Sequence, residues 1–214
     1  MKRILHIDSS PRHERSHSRK LTRKLRDKLF AKYPEHELTY RDLYVGTPPH
    51  VDVPWIEAAF SAQENLEPHQ KQALQISNTL VEEFLRADIF LIGTPMYNFG
   101  MPSVLKAYID NILRLNRTFS FDPADKNEPY RPLVNGNKSM FVVVATGDDG
   151  FRRGEPFAEM NHLEPHLRTI FGFIGVDDIT FIYCRNAEYG GEKLEQSIQV
   201  ALNEIDELMT KSQV

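Results

Sequence analysis

Pro95-Met96-Tyr97-Asn98-Phe99 places an aromatic ring, a side-chain amide and several backbone N–H groups in one short stretch. The apolar run at residues 88–94 reads as a buried parallel strand, and a helix opens at Pro102-Ser103. Open α/β sheets bind ligands in loops that leave the carboxyl ends of central strands. The groups offered there suit a flat heteroaromatic ring with polar edges. The plainer reading makes Tyr97 and Phe99 core aromatics. Their position outside the periodic elements and next to Gly100 weakens it.

A second stretch, residues 8–18, leaves the first strand and enters a helix. A helix amino terminus presents unpaired N–H groups and the positive end of a dipole, which together favour an anion. Ser10, Ser16 and Ser18 add hydroxyls around His17. An N-cap explains one serine but not three around one turn. The spacing is neither a Walker loop nor G-x-G-x-x-G, so ATP and the common dinucleotide fold lose support and a phosphate monoester fits better. The third stretch, Thr146-Gly147-Asp148-Asp149-Gly150, leaves another apolar strand. Its glycines let a backbone approach a ligand, although an ordinary tight turn explains them nearly as well.

The elements that must carry these stretches alternate. Strand-like runs occur at 3–8, 37–42, 88–94, 140–145 and 179–184. Helix-like runs occur at 18–32, 69–86, 102–115, 163–173 and 192–210. Five βα units are best satisfied by a parallel sheet with helices on both faces. The long connections 43–67 and 116–138 read as lids or binding loops, the first carrying Trp55, Ile56 and Phe60. Nine Lys/Arg against Glu14 and Asp27 in residues 12–32 read as a solvated helix face.

At 214 residues the chain is long enough for one domain spanning 1–214. A net charge of −4 argues against a nucleic-acid partner. No signal peptide or membrane-length apolar run is visible, so a cytoplasmic location without membrane contact is expected. Cys184, the one cysteine, lies in an apolar run and reads as a buried inert thiol. His162 and His166 are four apart, but Pro165 between them upsets the helical register and no third ligand is evident, so no metal is expected.

Together the three stretches resemble the FMN-dependent NADH-azoreductases, among the flavodoxin-like NAD(P)H quinone reductases. The likeness covers Ser9-Ser10, Ser16-x-Ser18 and Pro95–Phe99. It continues through Lys106, Tyr108 and Asp110, Thr118-Phe119, Gly172-Phe-Ile-Gly175 with Asp177 and Asp178, and Glu188-Tyr-Gly190. The resemblance implies a flavodoxin-like three-layer α/β sandwich of strand order 2-1-3-4-5, with FMN at the switch point. It implies that Ser10, Ser16, His17 and Ser18 hold the phosphate and that Met96, Tyr97, Asn98 and Phe99 line the isoalloxazine. Thr146, Gly147, Asp148 and Asp149 would approach the pyrimidine edge. The family usually has a Ser-Arg-Gly-Gly type loop there, so this chain exchanges a cation for two carboxylates. Those carboxylates disfavour the anionic reduced flavin if they face it.

The expected function is reduction of quinones and aromatic azo compounds by NADH or NADPH in a ping-pong sequence. No side chain is an obligatory acid, Phe121 forms a substrate wall, and the chain is a homodimer. An electron carrier without its own substrate pocket is the alternative, against which the long connections argue. A phosphate-binding hydrolase is a third reading, and the absence of a G-x-S-x-G elbow gives it little support.

Overall fold

The computed structural model describes residues 1–211, apart from the side chains of Gln63 and Lys211. Its strands, numbered along the chain, are β1 (Arg3–Asp8), β2 (Glu37–Asp42), β3 (Ile89–Pro95), β4 (Phe119–Phe121), β5 (Tyr130–Pro132), β6 (Ser139–Ala145) and β7 (Asp178–Cys184). The helices are α1 (His17–Lys32), α2 (Val53–Ala59), α3 (Pro68–Ala73), α4 (Gln75–Arg86), α5 (Ser103–Ile112), α6 (Glu164–Ile174) and α7 (Gly191–Lys211). The main sheet runs β2-β1-β3-β6-β7, all parallel. Counting only its own strands, that is the expected order 2-1-3-4-5.

The near-continuous apolar runs of β1, β3 and β6 follow from burial on both faces. Leu5, Ile7, Phe90, Ile92, Met140 and Val142 face a core shared with α4, α5 and α6. Their neighbours Ile4, Ile89, Leu91, Phe141 and Val143 face the other side, against α1 and α7. Period-two alternation thus feeds two cores at once. Leu21, Leu25 and Leu29 form the buried stripe of α1. Truncating Leu25 to Ala is a change of the kind that costs about 2–5 kcal/mol.

Several local expectations differ from the structure. The helix expected at 69–86 is broken at Leu74, which has φ −90° and ψ −4° and joins α3 to α4. Leu74 is drawn into a satellite core with Trp55, Ala58, Ala59 and Leu66. The connection 43–67 therefore carries α2, capped by Asp52, which accepts from Trp55 N at 2.9 Å. The connection 116–138 carries the antiparallel hairpin β4–β5. Helix α5 stops at Ile112, short of residue 115, and Arg114 N donates to Thr118 Oγ1 at 2.9 Å in the turn that follows. His162 lies outside α6, which begins at Glu164, so His162 and His166 do not share a helix. No helix among the described residues is long and apolar enough to cross a membrane.

Candidate functional site

A cleft of about 360 Å³ opens beyond the carboxyl ends of β1, β3 and β6. It lies where the chain order reverses between β1 and β3, the switch point of a doubly wound sheet. Its walls are Ser10, Arg12, Ser16 and His17 on one side. Pro95, Met96, Tyr97, Ala145, Thr146, Gly147, Ala187 and Glu188 complete it.

The serine side is the start of α1. Ser16 is its N-cap, and Ser16 Oγ accepts from Arg19 N at 3.3 Å. Ser16 and Ser18 hydroxyls lie 3.1 Å apart, so Ser18 sits buried behind Ser16 rather than on the cleft wall. The N–H groups of His17 and Ser18 meet no backbone acceptor among the described residues. Free N–H groups at a helix start next to serine hydroxyls make a cradle for an anionic oxygen cluster. Burial first, then the charges of Lys20 and Arg12, holds the His17 imidazole below its ordinary value.

Beneath this turn lies a polar network that the helix pattern conceals. Arg19 is only 4% exposed, although the basic helix reads in sequence as a solvated face. Its Nε and Nη2 donate to the Ser10 carbonyl at 2.9 and 2.7 Å. Its Nη1 and Nη2 also grip Asp42 at 2.6 and 2.7 Å. Tyr40 OH donates to Asp8 Oδ2 at 2.9 Å, and Asp8 Oδ2 lies 3.6 Å from Arg19 Nη1. Burial opposes the Arg19 charge, yet the Asp42 hydrogen bonds and the Asp8 and Asp42 charges raise its pKa overall. Gly93 on β3 makes room: a Cβ there would stand 2.5 Å from Asp8 Oδ1 and 2.8 Å from Thr22 Oγ1.

The opposite wall begins with a tight turn. Tyr97 N donates to Gly100 O at 2.9 Å, and Gly100 N returns the bond to Tyr97 O at 3.0 Å. The two central residues, Asn98 and Phe99, have φ of 47° and 66°. This is the mirror-image turn that usually requires Asn or Gly, so Phe99 is held in a strained backbone. His162 N donates to Phe99 O at 2.9 Å and pins the turn to the segment before α6. Tyr97 lines the cleft, whereas Asn98 and Phe99 form the exposed tip, with the Phe99 ring 6.1 Å from Phe151.

The loop after β6 supplies Thr146 and Gly147 to the cleft but turns its acids elsewhere. Asp149 Oδ1 accepts from Arg185 Nη1 at 2.9 Å, and Asp148 Oδ2 accepts from Tyr189 OH at 3.2 Å. Phe121 stands apart on β4, its ring 4.9 Å from Tyr130, in an aromatic group that includes Phe119 and Phe173. Of the residues singled out from sequence, Ser10, Ser16, His17, Met96, Tyr97, Thr146 and Gly147 share one cleft. Ser18, Asn98, Phe99, Asp148, Asp149 and Phe121 lie behind or beside it. Sequence reasoning missed Arg12, Ala187 and Glu188 as wall residues.

Residues 2–209 match the model of a family described as having a flavodoxin-like fold. The FMN-dependent NADH:quinone oxidoreductase 2 of Trichormus variabilis is 43% identical over 205 residues, 96% of this chain and 97% of its own. The chain belongs to the FMN-dependent NADH:quinone oxidoreductase family. A second relative, the FMN-dependent NADH:quinone oxidoreductase of Nostoc punctiforme, is 46% identical over 91% of this chain and 92% of its own. Among solved structures, azoreductase from Bacillus anthracis superposes with a TM-score of 0.86 at 25% identity. That match covers 99% of this chain and 100% of the other. Within this family the switch-point cleft is the place to test for a cofactor, and its residues fit one. Hydroxyls and free helix N–H groups suit a phosphate, and a strained aromatic turn with a glycine opposite suits a flat ring.

Proposed function

We propose that the chain is a single-domain oxidoreductase that binds FMN non-covalently and uses NADH or NADPH to reduce quinones and aromatic azo compounds. The observation that carries this reading is the convergence of a phosphate-type cradle and a ring-sized cleft at the switch point, in a chain of this family. Ser10, Ser16 and the His17 and Ser18 N–H groups would hold the phosphate, with Ser18 Oγ steadying Ser16. Met96, Tyr97, Asn98 and Phe99 would position the ring, and Thr146 and Gly147 would border its polar edge. Bound FMN supplies the two-electron redox chemistry. Burial first, then Tyr44, raises the Tyr97 phenol above its ordinary value.

One cleft serves both substrates in this reading, so donor and acceptor take turns. Initial rates at several fixed quinone concentrations should give parallel double-reciprocal lines; intersecting lines would mean two separate sites. An azo substrate should consume two reduced nicotinamides per cleavage. Bleaching of the protein's visible absorbance by NADH alone supports an enzyme, whereas bleaching only with an added protein supports a carrier. We further propose a homodimer. Val53, Ile56 and Phe60 on and beside α2, and Phe121 and Tyr130 on the hairpin, are exposed apolar groups that a second copy would cover. Light scattering that finds a fully active monomer rejects it.

A further inference from the structure

We infer that Arg19 is a positioning residue for the cofactor phosphate. It acts through the Ser10 carbonyl and not through its charge. The inference rests on the phosphate-cradle reading above. Arg19 is on the helix that forms the cradle, yet its guanidinium points down and away from the cleft. It binds one carbonyl with two N–H groups and one carboxylate with two more contacts. A planar guanidinium fork can grip each of two acceptors with a pair of N–H groups, which the point charge of a lysine cannot match.

The charges around it explain why its own charge is spent. Asp42 and Asp8 both face it, Tyr40 OH accepts from its Nη1 at 3.1 Å, and His6 Nε2 lies 3.5 Å from Asp8 Oδ1. Two carboxylates beside one guanidinium offset its charge locally. What remains is geometry. The Ser10 carbonyl is fixed inward, and the turn that continues through Arg12, whose N–H donates to Ser10 Oγ at 3.3 Å, is fixed with it. A carbonyl left free to swing outward would present a negative oxygen to a phosphate. Arg19 thus removes a repulsive group from the cradle and holds the Ser10 hydroxyl on its wall.

The inference separates charge from shape, and so does its test. Dissociation constants of FMN and of riboflavin, which lacks the phosphate, are measured on apoprotein by flavin fluorescence for wild type, Arg19→Lys and Arg19→Met. Wild type should prefer FMN by about 100-fold or more, the worth of two charge-assisted hydrogen bonds. Both variants should lose about tenfold of that preference while riboflavin affinity holds. Lys keeps the charge and loses the fork, so rescue by Lys overturns the geometric account. Equal weakening of both ligands overturns it too, because that marks a merely structural role. Variants that keep the full preference also reject it. A wild type without preference for FMN instead rejects the phosphate cradle itself. If the Arg19 variants do not fold, Asp42→Asn and Tyr40→Phe loosen the same fork. They are then expected to lower the FMN-to-riboflavin preference in the same direction, and an unchanged ratio in both rejects the inference.

Discussion

Where β1 ends, the chain buries its charges beneath the cleft: Asp8, Arg19 and Asp42 lock together under Ser10. Where β6 ends, it sends them to the surface, Asp149 to Arg185 and Asp148 to Tyr189. Both segments follow a central strand and both line the same cleft. The first is braced from below and presents hydroxyls and N–H groups. The second contributes little more than the space above Gly147. A site for a molecule with a charged tail and a flat head needs this asymmetry. The tail demands fixed donors, whereas the head demands clearance.

The largest expected effect is on the braced side. Replacing Ser10, Ser16 and Ser18 together with Ala should weaken FMN binding by about 2–4 kcal/mol, at roughly 1 kcal/mol per lost hydrogen bond and more for a charged partner. Titration of apoprotein measures it, and unchanged affinity would remove the phosphate from this end of the cleft. Next comes a pair of glycines. Gly93→Ala drives a methyl into Asp8 and Thr22 and should cost about 1–3 kcal/mol of folding stability. Gly147→Ala meets only the flexible end of Glu188, 2.9 Å away, and should cost under about 0.5 kcal/mol. Urea unfolding of the two variants compares them, and equal costs would erase the contrast.

Acid should find the braced side as well. Burial opposes ionisation of Asp42, but the Arg19 fork and the Tyr44 N–H outweigh it and hold its carboxyl below the usual range. Its contribution to stability is full above the unfolded value of about 3.9 and is lost as pH falls through the lower folded value. Unfolding curves from pH 6 to pH 2 should show that loss in wild type and less of it in Asp42→Asn. The smallest effect on cofactor binding is expected at the other lip. Asp148→Asn with Asp149→Asn breaks exposed contacts and should change FMN affinity by less than about 1 kcal/mol. The flavin potential should also hold, because those carboxylates are engaged by Tyr189 and Arg185. A marked rise in potential would mean that they swing over the ring.

Much of this was written in the order of residues. The sheet followed from five strand-like runs separated by helical periodicity, and the cleft from what leaves strands one, three and four of the sheet. Arg19 was hidden because a basic helix offers seven similar cations and the pattern does not say which one points inward. The available signal lay elsewhere: the first two strands both end in Asp, and in register Asp8 stands beside Asp42. Two carboxylates side by side need a cation between them. The break at Leu74 left no Gly or Pro to announce it, since tertiary packing around Trp55 produced it. The direction of Asp148 and Asp149 depended on Arg185 and Tyr189, some forty residues away.

The turn at Asn98 and Phe99 has a consequence for anyone who tries to harden this protein. Its left-handed backbone costs about 1–2 kcal/mol at Phe99, a cost that glycine avoids. Selection for heat tolerance alone is therefore expected to favour Phe99→Gly early. The gain in melting temperature would come with loss of the ring that reaches toward Phe151. Laboratory evolution of this chain would have to score turnover in every round, because its most accessible route to toughness runs through the mouth of its own cleft.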